Sequence, residues 1–223
     1  MRGRLAIVLL VALGSTVTGG AASAKPSSER CNAHRAYRKT AQLLVFATKT
    51  HQTDQVGNLL TIYYACARPN GLPTEVARDS SPGGPEYPPD DALQELPVTG
   101  DYAGSLVTVG EGSYSACHKF DPVCPPAKER ITLVQARGRS QASFTTPLGA
   151  KSLTLSPAGA AAWLVPASSG SGQQLMASRL RRQGKRLRLT PQRLDSGAIT
   201  HLKFSGPTLT WLNNGTPHSA TLK

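Results

Sequence analysis

The chain has 223 residues with 25 basic and 13 acidic side chains, a formal net charge of +12. That length suffices for one domain with a real core. Beyond the first residues no apolar run approaches the ~18 that a second membrane span would need, and an uncleaved anchor at the start is the alternative to a cleaved leader. Abundant Gly and Pro, scarce Met and Phe, and short alternating apolar runs point to an all-β domain.

Residues 1–24 have the layout of a secretory signal peptide. Arg2 and Arg4 supply the positive end, Leu5 to Leu13 the apolar core, and Ala22-Ser23-Ala24 the small-residue cleavage site. The mature chain is expected to begin at Lys25, to be secreted, and to form one all-β repeat domain over 25–223. Residues 25–40 read as a polar, basic arm. LLVFATK (Leu43–Lys49) and LLTIYYACAR (Leu59–Arg68) read as paired strands, and PNGLP (Pro69–Pro73) as the following turn. Residues 79–95, with PGGPEYPPDD at their centre, read as a Pro- and acid-rich loop.

Beyond this loop three segments align: LPVTGDYAGSLV from Leu96, LTLSPAGAAAWLV from Leu153 and LKFSGPTLTWLN from Leu202. Each holds a short apolar strand, a Ser/Thr–Gly/Pro turn and a second strand. Trp163 and Trp211 occupy matching places, with Ser105 standing there in the first copy. Further strands follow the first two, RITLVQARG (Arg130–Gly138) and LMASRLRRQGKRLRL (Leu175–Leu189). Four strands per unit is the plan of a propeller blade. In the closing stretch, LTWLNNGTPHSATL, Asn214-Gly215 predicts a two-residue hairpin turn and Trp211 a core position. His218 falls on the return strand with no evident partner, and pairing of this hairpin with the first strands would close a ring.

The early Cys, the YYACAR strand, the LSPAGAAAWLV strand pair and the terminal hairpin together resemble a group of secreted bacterial β-propeller-like proteins. The resemblance implies a β-propeller-like array of about four short antiparallel blades, with motifs that mark strands rather than active sites. A β-sandwich is the structural alternative.

Four cysteines, Cys31, Cys66, Cys117 and Cys124, in an exported chain read as two disulfides. The favoured connectivity is Cys31–Cys66 with Cys117–Cys124. The rival is a metal site in CHKFDPVC, but the tight C-x2-C or H-x3-H spacing of zinc sites is missing. No metal or other cofactor is expected. There is no G-x-S-x-G nucleophile elbow, no H-E-x-x-H and no phosphate-binding G-x-x-x-x-G-K. A secreted hydrolase built from the first half, on Asp101, His118 and Asp121, is the alternative function.

Charge is uneven along the mature chain. Residues 25–129 hold 10 basic and 12 acidic side chains, and residues 130–223 hold 13 basic and one acidic, Asp195. Seven of these cations fall in SRLRRQGKRLRLTPQR: Arg179, Arg181, Arg182, Lys185, Arg186, Arg188 and Arg193. Read as a hairpin turning at Gln183-Gly184, this stretch puts Leu180, Leu187 and Leu189 on one face. The other face carries Arg179, Arg181, Arg186 and Arg188. Such a stripe protects an edge strand or binds an anion. The expected function is therefore a binding module for anionic polysaccharide or cell-envelope polymer. Nucleic acid is a poor partner, because no aromatic residues interleave the cations for base stacking.

Overall fold

The computed structural model describes Cys31 and residues 34–53, 59–80, 91–109, 128–168, 172–183 and 186–222. Residues 1–30 with the leader, His118, Asp121, Cys117, Cys124 and Lys185 lie outside the described residues, as do the side chains of Arg182 and Arg186.

Among the described residues, seventeen strands form four sheets in chain order, and every pairing is antiparallel. The first sheet holds β1 (Arg38–Lys39), β2 (Leu43–Thr53), β3 (Leu59–Ala67) and β4 (Thr74–Asp79). The second holds β5 (Asp91–Glu95), β6 (Val98–Thr99), β7 (Tyr102–Val109), β8 (Lys128–Gln135) and β9 (Ser140–Thr146), with β5 and β6 both against β7. The third holds β10 (Lys151–Leu155), β11 (Ala160–Pro166), β12 (Gln173–Gln183), β13 (Arg186–Leu189) and β14 (Gln192–Gly197). The fourth holds β15 (Ile199–Ser205), β16 (Thr208–Asn213) and β17 (Thr216–Thr221). The fold is all-β, as expected.

The sheets pack face to face, and each neighbouring pair shares a core. Leu43, Val45, Tyr63 and Val76 of the first sheet meet Ala103, Val107 and Val134 of the second. On the opposite face of the second sheet, Leu106, Ile131 and Leu133 meet Leu153, Leu155, Ala161 and Trp163 of the third. Ala162, Leu164 and Leu175 then meet Ile199, Leu209 and Trp211 of the fourth. A strand inside such a stack is covered on both faces, which explains why β11 (AAAWLVP) is apolar and buried at six consecutive positions. Gly104 in β7 marks a close approach of the second and third sheets. A Cβ there would lie 3.1 Å from Leu133 Cδ2 and 3.1 Å from Leu155 Cδ2.

The three aligned segments each form the first hairpin of a sheet: β6–β7, β10–β11 and β15–β16. Hydrogen bonds link their turns to one another and to the β1–β2 turn. Thr40 Oγ1 donates to Gly100 O at 2.5 Å, and Ser156 Oγ donates to Gly206 O at 2.6 Å. A Cβ at Gly100 would lie 3.5 Å from Pro157 Cβ, so the second and third turns also abut. The matched positions behave alike, each reaching the last strand of the preceding sheet. Ser105 Oγ donates to Val76 O in β4 at 2.7 Å, and Trp163 packs on Phe144 in β9 with ring centroids 5.0 Å apart. Trp211 Nε1 donates to Asp195 Oδ2 in β14 at 2.7 Å.

Two buried or partly buried acids tie the second sheet to the start of the third. Glu129 accepts from Ala150 N at 2.6 Å and Gly149 N at 3.3 Å; Glu95 accepts from Ser152 N at 2.6 Å and Leu153 N at 2.7 Å. Burial pushes the Glu129 carboxyl above its ordinary value against the pull of those two N–H groups, and Glu95 adds to the rise.

Several expectations change. The segment read as a loop over 79–95 is bounded by pairing on both sides: Asp79 ends β4, Asp91–Glu95 is β5, and Ser80 N donates to Asp91 O at 2.8 Å. Its Pro-rich centre masked the apolar alternation of DALQE. Cys31 and Cys66 form the expected disulfide, while the expected Cys117–Cys124 bond lies outside the described residues. Asn214 and Gly215 form the expected turn, with φ of 50° and 80°. The ring does not close: β17 pairs β16 alone among the described residues, and no sheet is closed. The fourth sheet packs by its face on the third, leaving the second and third sheets between it and the first. β17 is consequently an edge strand, and it carries Pro217.

Candidate anion-binding site

The stretch from Arg179 to Arg188 folds as a hairpin, as expected, but Gln183 is the last rung of β12, opposite Arg186, and not a turn residue. β12 and β13 pair with Leu180 opposite Leu189, Arg181 opposite Arg188, Arg182 opposite Leu187 and Gln183 opposite Arg186. Leu180 and Leu189 pack against the core between the second and third sheets, which holds this face of the hairpin down. Side-chain alternation puts Arg179, Arg181 and Arg188 on the opposite face. Two arginines directly across an antiparallel pair repel each other.

Between Leu189 and Gln192 the ladder with β12 is interrupted for two residues while its register is kept. β13 covers β12 residues 180–183 and β14 covers residues 173–177, so Ser178 and Arg179 face the break at Thr190-Pro191. A cavity of about 490 Å³ opens here, lined by Ser178, Arg179, Arg181, Thr190, Gln192, Thr221 and Leu222. Its wall joins the third sheet to the end of β17 and contains no acidic residue among the described residues. Ser178 is 2% exposed, and its Oγ has no hydrogen-bond partner among the described residues.

Several acids among the described residues are engaged away from the hairpin. Arg78 is held by Glu75 at 2.7 Å and Arg130 by Asp91 at 3.2 Å. Neither Arg179 nor Arg188 has an ion-pair partner among the described residues. Asp195, the single acid of residues 130–223, accepts from Trp211 Nε1, from Ser196 N at 2.7 Å and from Asn213 Nδ2 at 2.9 Å. His218, which seemed partnerless in the sequence, stacks on Trp211 at 5.7 Å and brings Nδ1 to 3.9 Å from Asp195 Oδ2. Burial works to raise the Asp195 carboxyl. The hydrogen bonds from Trp211, Ser196 and Asn213, with His218, outweigh it and hold the group below its ordinary value.

Two further cavities lie among the first strands of the sheets. One, of about 540 Å³, is lined by Lys151, Thr154, Gln173, Thr200 and His201 among others. With the Gln173 amide turned so that its oxygen faces Lys151, Lys151 Nζ donates to it at 2.7 Å, and His201 Nδ1 lies 3.0 Å from Thr200 Oγ1. The other, of about 580 Å³, is lined by Tyr37, Arg38, Asp79 and Glu95 with neighbouring apolar residues. The Glu95 carboxylate is already engaged by backbone N–H groups.

Of the residues named for hydrolysis, Asp101 alone lies among the described residues. Asp101 Oδ2 accepts from Gln135 Nε2 at 3.4 Å, while His118 and Asp121 lie outside the described residues. Among the described residues no group of three or more His, Cys, Asp or Glu could hold a metal ion. The basic hairpin was legible in the sequence. Thr190, Gln192 and Thr221 were not, since only the shared register of β13 and β14 along β12 and the packing of β17 bring them to Arg179. No family model matches the chain, and no curated protein or solved structure matches it.

Proposed function

We propose that the chain is a secreted β-propeller-like binding module that holds anionic polysaccharide or cell-envelope polymer on its basic hairpin. The observation that carries this reading is the cross-strand register that sets Arg181 against Arg188 with Arg179 on the same face. A polyanion lying along that face relieves the repulsion between the paired guanidiniums and gains charge-assisted hydrogen bonds from their planar forks. Four antiparallel sheets in chain order, with their first hairpin turns in a row, support the propeller-like description. The leader-like first 24 residues and the Cys31–Cys66 disulfide support export.

The test is retention on a heparin-like resin and on purified anionic wall polymer. The native chain is expected to elute at a salt concentration well above that for a variant with Arg181, Arg186 and Arg188 replaced by Ser, because exposed charge contacts are screened by salt. Identical elution of the two proteins would end the proposal.

A further inference from the structure

We infer that the cavity at the break between β13 and β14 seats one acidic sugar residue of such a polymer, its carboxylate held by Arg179 and Arg181. The inference rests on the polymer-binding reading and adds to it a defined subsite and a ligand class.

The wall divides by chemistry. Arg179 and Arg181 offer guanidinium forks whose paired N–H groups match a carboxylate in one plane. Thr190, Thr221 and Gln192 offer two hydroxyls and an amide, groups that both donate and accept, which suits the hydroxyls of a sugar ring. Leu222 adds an apolar surface at the same wall. A bare inorganic anion would use the first set alone; a neutral sugar would use the second alone. An acidic sugar uses both. The volume of about 490 Å³ falls within the usual range for small-ligand pockets, roughly 300–1,000 Å³.

The register carries straight through the interruption: Leu180 opposes Leu189 and Ala177 opposes Gln192, which sets Thr190 opposite Arg179 and Pro191 opposite Ser178. Pro191 has no N–H to give the ladder, so pairing is interrupted at this step. Alternation puts Arg179, Arg181, Thr190 and Gln192 on one face of the sheet, where Thr221 and Leu222 complete the wall. Arg179 is half-buried at this point, so its charge is less screened than that of a fully exposed arginine.

The experiment titrates the full chain with D-glucuronate, glucose and inorganic sulfate, following amide chemical shifts, and measures resin elution in parallel. Glucuronate is expected to bind tighter than glucose or sulfate by about tenfold or more, each partner set supplying one charge-assisted or neutral hydrogen-bond group. Arg179→Gln should weaken glucuronate binding by about tenfold, the loss expected for one charge-assisted contact. Gln192→Ala, at an exposed wall position, should weaken glucuronate and leave sulfate unchanged. Should Arg179→Gln fail to fold, Gln192→Ala carries the same test. Glucuronate binding no tighter than sulfate, or unaffected by both wall substitutions, overturns the inference. Polymer retention lost in the Arg181, Arg186 and Arg188 variant alongside an unbound monomer removes the subsite and leaves the polymer reading standing. A bound monomer with an unretained polymer removes the polymer reading instead.

Discussion

The Trp211 indole donates to the Asp195 carboxylate across 2.7 Å and thereby fastens β16 of the fourth sheet to β14 of the third. Asn213 joins the same carboxylate from β16, and His218 approaches it from β17. Asp195→Ala leaves the Trp211 N–H and the Asn213 amide without that acceptor. The expected cost is about 2–4 kcal/mol of unfolding free energy, from two charge-assisted bonds and a partly buried unsatisfied donor. Urea denaturation monitored by Trp fluorescence measures it; a loss below about 0.5 kcal/mol, the range of ordinary surface substitutions, would show the bond to be idle.

The same carboxylate makes stability depend on acid. Its folded value lies below the ordinary 3.8, so its contribution is fully present above that value and is lost as pH falls through the folded value. Asp195→Asn removes this dependence. Melting temperatures of the two proteins should differ near neutral pH and converge in strong acid. Glu129 has the opposite sign: its raised value means that its contribution is greatest below the ordinary 4.5 and declines as pH rises through the folded value. Glu129→Gln should flatten that decline.

Gly104 sits where Leu133 and Leu155 press from either side, 3.1 Å from the position of a Cβ. Gly104→Val overfills the contact between the second and third sheets and should cost about 1–3 kcal/mol. A melting temperature equal to that of the native chain would show that the stack has slack at this point.

Cys31 and Cys66 close a loop of 35 residues over the outer face of the first sheet, where Leu44, Phe46, Ile62 and Tyr64 form a separate buried cluster. Replacing both cysteines by Ser should lower stability by about 2–4 kcal/mol in the chain-entropy account. Treating the native chain with reductant should move its denaturation midpoint toward that of the variant. Equal midpoints for oxidised and reduced protein would contradict this.

Arg188 is predicted to oppose stability while serving binding. Arg188→Thr removes one member of the Arg181–Arg188 pair and places a β-branched residue in β13, so the melting temperature should stay level or rise. Retention on anionic resin should fall in the same protein. A destabilised variant with unchanged retention would reverse the assignment.

The hairpins could be read in the sequence because their signals are local. Asn214-Gly215 needs positive φ at both positions, and LLVFATK with LLTIYYACAR carries the β-branched and aromatic residues of paired strands. The polar outer strands were harder. TEVARD, SQASFTT and QRLDSG lack a strong apolar alternation, yet they form β4, β9 and β14 because ladder bonds to an already buried neighbour hold them. The site divides in the same way. Spacing of Arg and Leu set the faces of the β12–β13 hairpin, whereas the wall contributed by Thr221 depends on a fourth sheet whose position only the shared core determines.

Pro217 gives the open end of the stack a further property. Asn213 and Thr216 flank the two-residue turn and form a hydrogen-bonded pair, so Leu212 and Pro217 form the next, non-bonded pair. The imino nitrogen of Pro217 therefore points out from β17 toward the unpaired edge, where any other residue would present a donor. One rung is missing from the template that this edge would offer to another chain. Among the described residues β17 pairs on one edge alone, and this missing rung hinders a second chain from adding to the other.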